Sequence, residues 1–269
     1  MTTAAAPLVR PKASRDDLIM RGGLVLFAAV LLVIVAQADQ LLQGLPLLQA
    51  SFRQLLAHMR KHAWAFTATL LSYSLAAITI YAFVVWAPSY FFRVHGLKPV
   101  EVGLALAVIL GLGSSVGALV GGVVSDALQR RGRNDAPAVV IMVTQIVQVP
   151  FLVMGYLASD ATTAMVLLGM GMLILGAFGG CQHVTFQTMT PTRLRGQIGA
   201  VYLMATSMIG LSLGPFLMGL LNGALGGPDK ISVSMAVMAA GVGPVAAALL
   251  AIALKSIRTT VAETTAGAA

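Results

Sequence analysis

Six long apolar segments limit the folds that this chain can adopt, because each of them exceeds 20 residues. About 20 helical residues cross the roughly 30 Å hydrocarbon layer of a membrane. A helix satisfies its backbone hydrogen bonds inside lipid, whereas the strands of a membrane barrel alternate in polarity over about 10 residues. The sequence therefore predicts an all-α, polytopic bundle of six transmembrane helices. These lie near residues 62–89, 101–126, 137–158, 162–187, 194–223 and 231–255.

The composition favours a membrane protein and excludes several other classes. The chain is 58% hydrophobic and 10% charged, whereas soluble domains carry about 25% charged residues. The net charge of +8 does not indicate nucleic-acid binding, because the basic residues occur singly or in short groups between apolar segments. Membrane lipids are the expected partners of these cations. With one cysteine, no metal-ligand spacing, no phosphate-binding loop and no nucleophile beside a base, we expect no disulfide, metal, cofactor or enzymatic activity.

Three regions follow from this pattern: a basic segment at 1–61, the six-helix bundle at 62–258 and a cytoplasmic tail at 259–269. Within the first region, residues 24–36 are apolar but would reach only about 20 Å as a helix. We interpret them as a short interfacial or marginally spanning helix, although a basic region before an apolar run also resembles a signal anchor. Residues 51–60 predict an amphipathic surface helix with one apolar face. That face holds Phe52, Leu55, Leu56 and Met59.

Proline positions and basic residues predict helix ends and orientation. Pro88 and Pro191 are expected to end helices, and Pro150 and Pro215 to bend them. If loops 39–61, 127–136 and 188–193 share one side with the C-terminus, that side holds ten lysines and arginines, counting Arg195 at the adjoining helix start, against three on the other. Positive charge favours the cytoplasmic side. This predicts an inner-membrane, multi-pass protein with loops 127–136 and 188–193 and the C-terminus in the cytoplasm.

Residues 117–133 carry the most specific motif. They read Gly-Ala-Leu-Val-Gly-Gly-Val-Val-Ser-Asp-Ala-Leu-Gln-Arg-Arg-Gly-Arg. This resembles the loop motif of the major facilitator superfamily, which follows the second helix of each six-helix half. Residues 86–97 and 190–202 are similar to the end of helix seven and the start of helix eleven in bacterial spinster-like members. The resemblance covers residues 51–258 and implies the C-terminal half of such a transporter.

The resemblance implies secondary active transport of an amphiphilic or organic small molecule, with protons as the expected coupling ion. A full member has twelve helices and holds its substrate between two halves. This sequence has six strong segments, which predicts a half or truncated form. Such a form would need a separate N-terminal six-helix half or a second copy. The alternative is an inactive or regulatory membrane fragment.

Four charged residues are candidates for a gate: Asp126, Arg130, Arg131 and Arg195. One interpretation is topological, with the arginines holding a loop in the cytoplasm and Asp126 solvated. The other is a latch in which Asp126 accepts hydrogen bonds from a helix start near 190–196 and pairs with Arg195. The resemblance implies the second role.

Six polar or aromatic residues are candidates for substrate binding, because such side chains at membrane depth often mark functional sites. His183 can also carry a proton. Hydrogen bonding between helices is the alternative for the glutamines, and an interfacial aromatic belt is the alternative for the tryptophan. The candidates are Tyr81, Trp86, Gln145, Gln182, His183 and Gln187.

Overall fold

Seven helices make up most of the described chain. A computed structural model describes residues 46–266, so the apolar segment at 24–36 lies outside the described residues. No β-strand occurs in residues 46–266, and six of the seven helices are long and apolar enough to cross a membrane, which confirms the predicted all-α bundle. The helices are α1 (Pro46–Lys61), α2 (Ala63–His95), α3 (Pro99–Arg130), α4 (Ala136–Tyr156), α5 (Ala161–Thr188), α6 (Arg195–Ala224) and α7 (Ile231–Ala266).

Helix α2 is the most enclosed element of the bundle. It packs against α6 and α7, α5 packs against α3 and α4, and α4 also contacts α7. In the most apolar stretch of each helix, 67% of the residues are buried in α2, but only 17% in α3 and 28% in the segment that contains α6. The bundle therefore leaves most of the apolar surface of α3 and α6 uncovered by protein.

Glycines bring α3 and α5 into backbone contact. A Cβ placed on Gly117 would overlap the carbonyl oxygen of Leu173, and one on Gly121 would lie 2.5 Å from the Cβ of Ala177. From the other side, a Cβ on Gly176 would lie 2.6 Å from the carbonyl oxygen of Ser114. Small residues allow such close approach between membrane helices. The first half of the 117–133 motif is thus a packing surface.

Two helices extend further than the sequence predicts. The expectation that Pro88 ends a helix is wrong: α2 continues to His95 and ends at Gly96, which has φ 64° and donates its N–H to Phe91. Proline removes a single N–H, and the left-handed glycine is the stronger stop signal here. Likewise α7 continues to Ala266, so most of the expected tail at 259–269 is helical.

The other prolines lie where the sequence predicts. Pro191 follows the end of α5, and Pro150 and Pro215 lie inside α4 and α6. Helix α1 has the expected apolar face, but the protein covers it: Leu55 and Met59 are buried in the main core. This packing holds α1 against the basic end of the bundle.

The α3–α5 contact predicts opposite effects for two neighbouring glycines. Gly117→Ala should lower the melting temperature of the purified chain, because overpacking a tight contact costs about 1–3 kcal/mol. Gly122→Ala is the matched control, since a Cβ there meets no atom within 4 Å. It should leave the melting temperature unchanged or raise it slightly. Equal melting temperatures for the two variants would contradict the contact.

Candidate functional site

A cavity of about 260 Å³ lies between α2, α3, α5 and α6. None of its lining residues comes from α4 or α7. Its walls are mainly apolar, with side chains such as Ile80, Leu110, Met172, Leu175 and Phe178. Five side chains supply hydrogen-bonding groups among them: Tyr81, Ser114, Gln182, Thr206 and Ser207. An apolar pocket with a few convergent polar groups is the usual form of a small-molecule site.

Local sequence makes room for this cavity. Ala118 on α3 and Gly176 and Gly179 on α5 line it with little or no side chain. Immediately before Ser114, residues Ala107–Gly113 of α3 are π-helical, and Leu110 within that turn also lines the cavity. Such π-helical turns occur frequently at functional sites.

The structure brings two of the predicted substrate-binding residues together: Tyr81 of α2 and Gln182 of α5 line the same cavity. His183 and Gln187 lie four residues apart on α5, so they share a face of that helix, and both are exposed. His183 is hydrogen-bonded through Nδ1 to the hydroxyl of Tyr202 on α6. A polar strip therefore joins α5 to α6 beside the cavity.

The structure places Trp86 and Gln145 away from this cavity. The indole N–H of Trp86 donates to the carbonyl oxygen of Pro215 at 3.3 Å, which links α2 to α6. Gln145 is fully buried in α4 and is hydrogen-bonded to Gln148. The backbone of Gln145 also lies against Gly243 of α7. The side chain of Gln145 is thus bonded within α4, while its backbone packs on α7.

Several residues at the site were missed by sequence reasoning. Ser114, Thr206 and Ser207 line the cavity, and Tyr202 is the partner of His183. Their signal in the sequence was a small polar or phenolic side chain inside an apolar segment, the same signal that selected Gln182. Which of these side chains face one another depends on the helix packing.

The proposed gate residues lie at the basic end of the bundle. Asp126, Arg130 and Arg131 are exposed. Within residues 46–266, Asp126 makes no ion pair and no side-chain hydrogen bond, including none to Arg195. The Nε of Arg195 instead donates to the carbonyl oxygen of Thr190 at 3.4 Å, across the turn that precedes α6. In this conformation Asp126 is therefore available to a partner.

Asp135 is a second acid at the basic end that sequence reasoning missed. Its side chain is 4% exposed, and its Oδ2 accepts hydrogen bonds from Arg258 of α7 at 2.8 Å and from Arg133 at 3.5 Å. Burial alone would raise the pKa of Asp135, but the two guanidinium groups outweigh it and hold the pKa below its usual value. The hydrogen bond between Asp135 and Arg258 connects the end of α7 to the α3–α4 loop.

Six membrane-length helices and a cavity on one face define a polytopic membrane protein with the architecture of a transporter domain. The chain belongs to the Major Facilitator Superfamily, whose family model matches residues 18–215. This confirms the family that the 117–133 motif indicated, and it identifies a transporter family rather than an enzyme family.

Two solved structures share this fold, both of a bacterial homolog of the human lysosomal transporter Spinster. The inward-facing, occupied form is 20% identical, with a TM-score of 0.54, and the match covers 76% of this chain and 47% of that one. The inward-facing, unoccupied form is 21% identical, with a TM-score of 0.57, covering 83% and 50%. The chain therefore spans about half the length of these proteins. No curated protein matches the chain.

The cavity predicts a difference in chemical accessibility between two glutamine positions. In a Cys181→Ala background, Gln182→Cys should react with a small maleimide more than about tenfold faster than Gln145→Cys, because a fully buried thiol reacts only after local opening. Gln145 is the matched control, since its side chain is 0% exposed. Similar labelling rates in the folded protein would contradict the placement of Gln182 in the cavity.

The Asp135 pair predicts a pH-dependent contribution to stability. The pKa of Asp135 is lower in the folded protein than its unfolded value of about 3.9, so the stabilisation is present above about pH 4 and is lost as the pH falls through the folded-state pKa. Asp135→Asn should cost about 1–3 kcal/mol at pH 7 and much less at acid pH. Asp126→Asn, at an exposed and unpaired acid, should cost little at either pH. A pH-independent effect of Asp135→Asn on the melting temperature would exclude this pair as its cause.

Proposed function

We propose that this chain supplies one six-helix half of a secondary active transporter. The observation that carries the proposal is the cavity on the face of α2, α3, α5 and α6. Substrates of such transporters bind near the membrane midplane between two helical repeats. Binding between two repeats requires each repeat to supply one wall of the site. A half with a cavity on one face can supply such a wall.

The chemistry of the cavity favours an amphiphilic or organic small molecule as substrate. No charged side chain is among its lining residues, and most of its wall is aliphatic or aromatic. The hydroxyl of Tyr81 and the amide of Gln182 offer hydrogen bonds to a polar group. A ligand with an apolar body and an uncharged hydrogen-bonding group facing this half fits these walls.

We further propose that a second half completes the pathway. Most of the apolar surface of α3 and α6 is uncovered, and the chain spans about half the length of the solved structures that share its fold. A separate N-terminal six-helix half is the first candidate, and a second copy of this chain is the other. The uncovered helices flank the cavity, so a partner that covers them also closes it.

His183 is the proposed proton-coupling group. In the neutral ring with Nε2 protonated, Nδ1 accepts a hydrogen bond from the Tyr202 hydroxyl. After protonation Nδ1 becomes a donor, and the hydroxyl oxygen must accept. A proton therefore reverses the hydrogen bond that joins α5 to α6. Helix-to-helix contacts that switch in this way can bias an alternating-access equilibrium.

The gate proposal is retained for Asp126, Arg130, Arg131 and Arg195. Asp126 is exposed near the end of α3, and a carboxylate there can accept hydrogen bonds from a helix start in a second half. Arg195 stabilises the turn before α6 by a hydrogen bond to the carbonyl oxygen of Thr190. The excess of arginine and lysine at this end supports a cytoplasmic location for loops 127–136 and 188–193 and for the C-terminus, in an inner membrane.

An inactive or regulatory membrane fragment is the second candidate function. The observation that favours it is the same half-length match, because one half supplies only one wall of a pathway. The two candidates differ in whether any partner restores transport.

Uptake of fluorescent single-chain amphiphiles into proteoliposomes tests the proposal. The chain alone should give no uptake above empty liposomes, whereas the chain with a six-helix N-terminal half should give uptake driven by a pH gradient. His183→Gln should abolish the pH dependence and retain exchange of substrate, because glutamine cannot bind a proton. His95→Gln, at the opposite end of the bundle, is the control and should behave like the unmodified chain. No uptake with any second half would favour the inactive fragment.

A further inference from the structure

A second cavity, of about 380 Å³, lies at the basic end of the bundle and shares no lining residue with the cavity described above. Four chain segments enclose it: the end of α1, the start of α2, the turn before α6 and the end of α7. Its lining is polar and charged, in contrast to the mainly apolar lining of the first cavity. The residues are His58, Lys61, His62, Pro191, Thr192, Arg193, Glu263 and Thr264.

Hydrogen bonds fix the walls of this basic-end cavity. The carbonyl oxygen of Met189, at the end of α5, accepts from His58 Nε2 at 2.8 Å and from the Thr264 hydroxyl at 3.3 Å. Three helix ends therefore meet at one oxygen. On the opposite wall, Nδ1 of His62 lies 3.2 Å from the hydroxyl of Thr260 on α7. These bonds fix the inner walls of the cavity, whereas four of its lining residues are exposed at its rim: Lys61, Thr192, Arg193 and Glu263.

The charges around the cavity leave an excess of positive groups. Lys61 Nζ lies 2.8 Å from Glu263 Oε2, and this pair neutralises the single carboxylate among the lining residues. Arg193 is exposed and makes no ion pair with any residue in the described part of the chain, 46–266. His58 and His62 add two groups that gain positive charge when protonated, with ring centroids 4.9 Å apart.

His62 gives this cavity a partly buried donor. Its side chain is 10% exposed. The Thr260 hydroxyl donates its one proton to the carbonyl oxygen of Ser256 at 2.9 Å, so it accepts from His62 Nδ1–H. In the neutral ring Nε2 then carries no proton. It lies 3.8 Å from Glu263 Oε2, so two hydrogen-bond acceptors lie opposite each other. A proton on Nε2 removes this mismatch and adds a cationic donor.

The surroundings of His62 disfavour its protonated form. Burial and the neighbouring His58 lower the pKa of His62, Glu263 raises it, and Lys61 lowers it further. A bound anion would act in the same direction as Glu263 and favour the protonated ring. Anion binding and proton uptake at His62 are therefore coupled.

We propose that the basic-end cavity binds the phosphate group of an anionic ligand, through Arg193, the Thr192 hydroxyl and protonated His62. Arginine and hydroxyl groups are the usual donors to phosphate oxygens, and the volume exceeds that of a phosphate ion. Two sources present this chemistry: the headgroup of an anionic phospholipid in the adjacent leaflet and a soluble phosphorylated molecule. Basic pockets at the ends of membrane helices bind lipid headgroups of this kind. The proposal does not rest on transport activity.

The test follows the melting temperature of the full chain in detergent during titration with phosphatidylglycerol, phosphatidylcholine or inorganic phosphate. A ligand that binds the folded state raises the melting temperature in proportion to its occupancy. Phosphatidylglycerol or inorganic phosphate should stabilise the chain, and Arg193→Gln should weaken the apparent affinity about tenfold, the usual effect of losing one hydrogen bond to a charged group. Arg93→Gln removes the same charge from an exposed site at the opposite end of the bundle and should leave the affinity unchanged.

Each outcome decides the proposal. Stabilisation by phosphatidylglycerol over phosphatidylcholine, lost in Arg193→Gln alone, supports a lipid headgroup as ligand. Stabilisation by inorganic phosphate without a preference between the lipids, with the same dependence on Arg193, supports a soluble ligand. Equal effects of the two arginine variants, or no stabilisation by any phosphate, would overturn it.

Discussion

The backbone contact between α3 and α5 is the interaction on which the first cavity depends. Gly117 and Gly176 allow the two helices to approach so closely that no side chain fits between them. One turn away on the same helices, Ser114 and Gly179 line the cavity. Without a hydrophobic driving force between helices in lipid, such packing is a principal source of association. The close contact between α3 and α5 and the open cavity beside it thus both result from the small residues on these two helices.

The basic end of the bundle is held in a different way. There, charged and polar side chains join segments that are distant in the sequence: Asp135 binds Arg258, and the carbonyl oxygen of Met189 accepts from His58 and Thr264. These bonds lie where the helices leave the apolar region, so water and lipid headgroups compete for them. The bundle therefore combines an apolar middle fixed by packing with a polar end held by charged and polar contacts.

The sequence predicted the helices well because apolar length and the glycine-rich motif are local signals. It predicted Tyr81 and Gln182 as candidates because polar side chains are rare inside apolar segments. It could not separate them from Gln145, which carries the same signal, because only the packing of α4 on α7 shows that Gln145 is enclosed. Pro88 was misread for a related reason, since the nearby glycine that ends α2 outweighs the proline.

We infer that α2, α3, α5 and α6 form one wall of a pathway that a second helical unit closes. Native mass spectrometry of the chain released from its own membrane tests this most directly. We expect particles in which these six helices are accompanied by a second unit, either six further membrane-length helices or a second copy. Particles that hold one such six-helix unit and only lipid, over the whole range of protein concentration, would rule out a second unit.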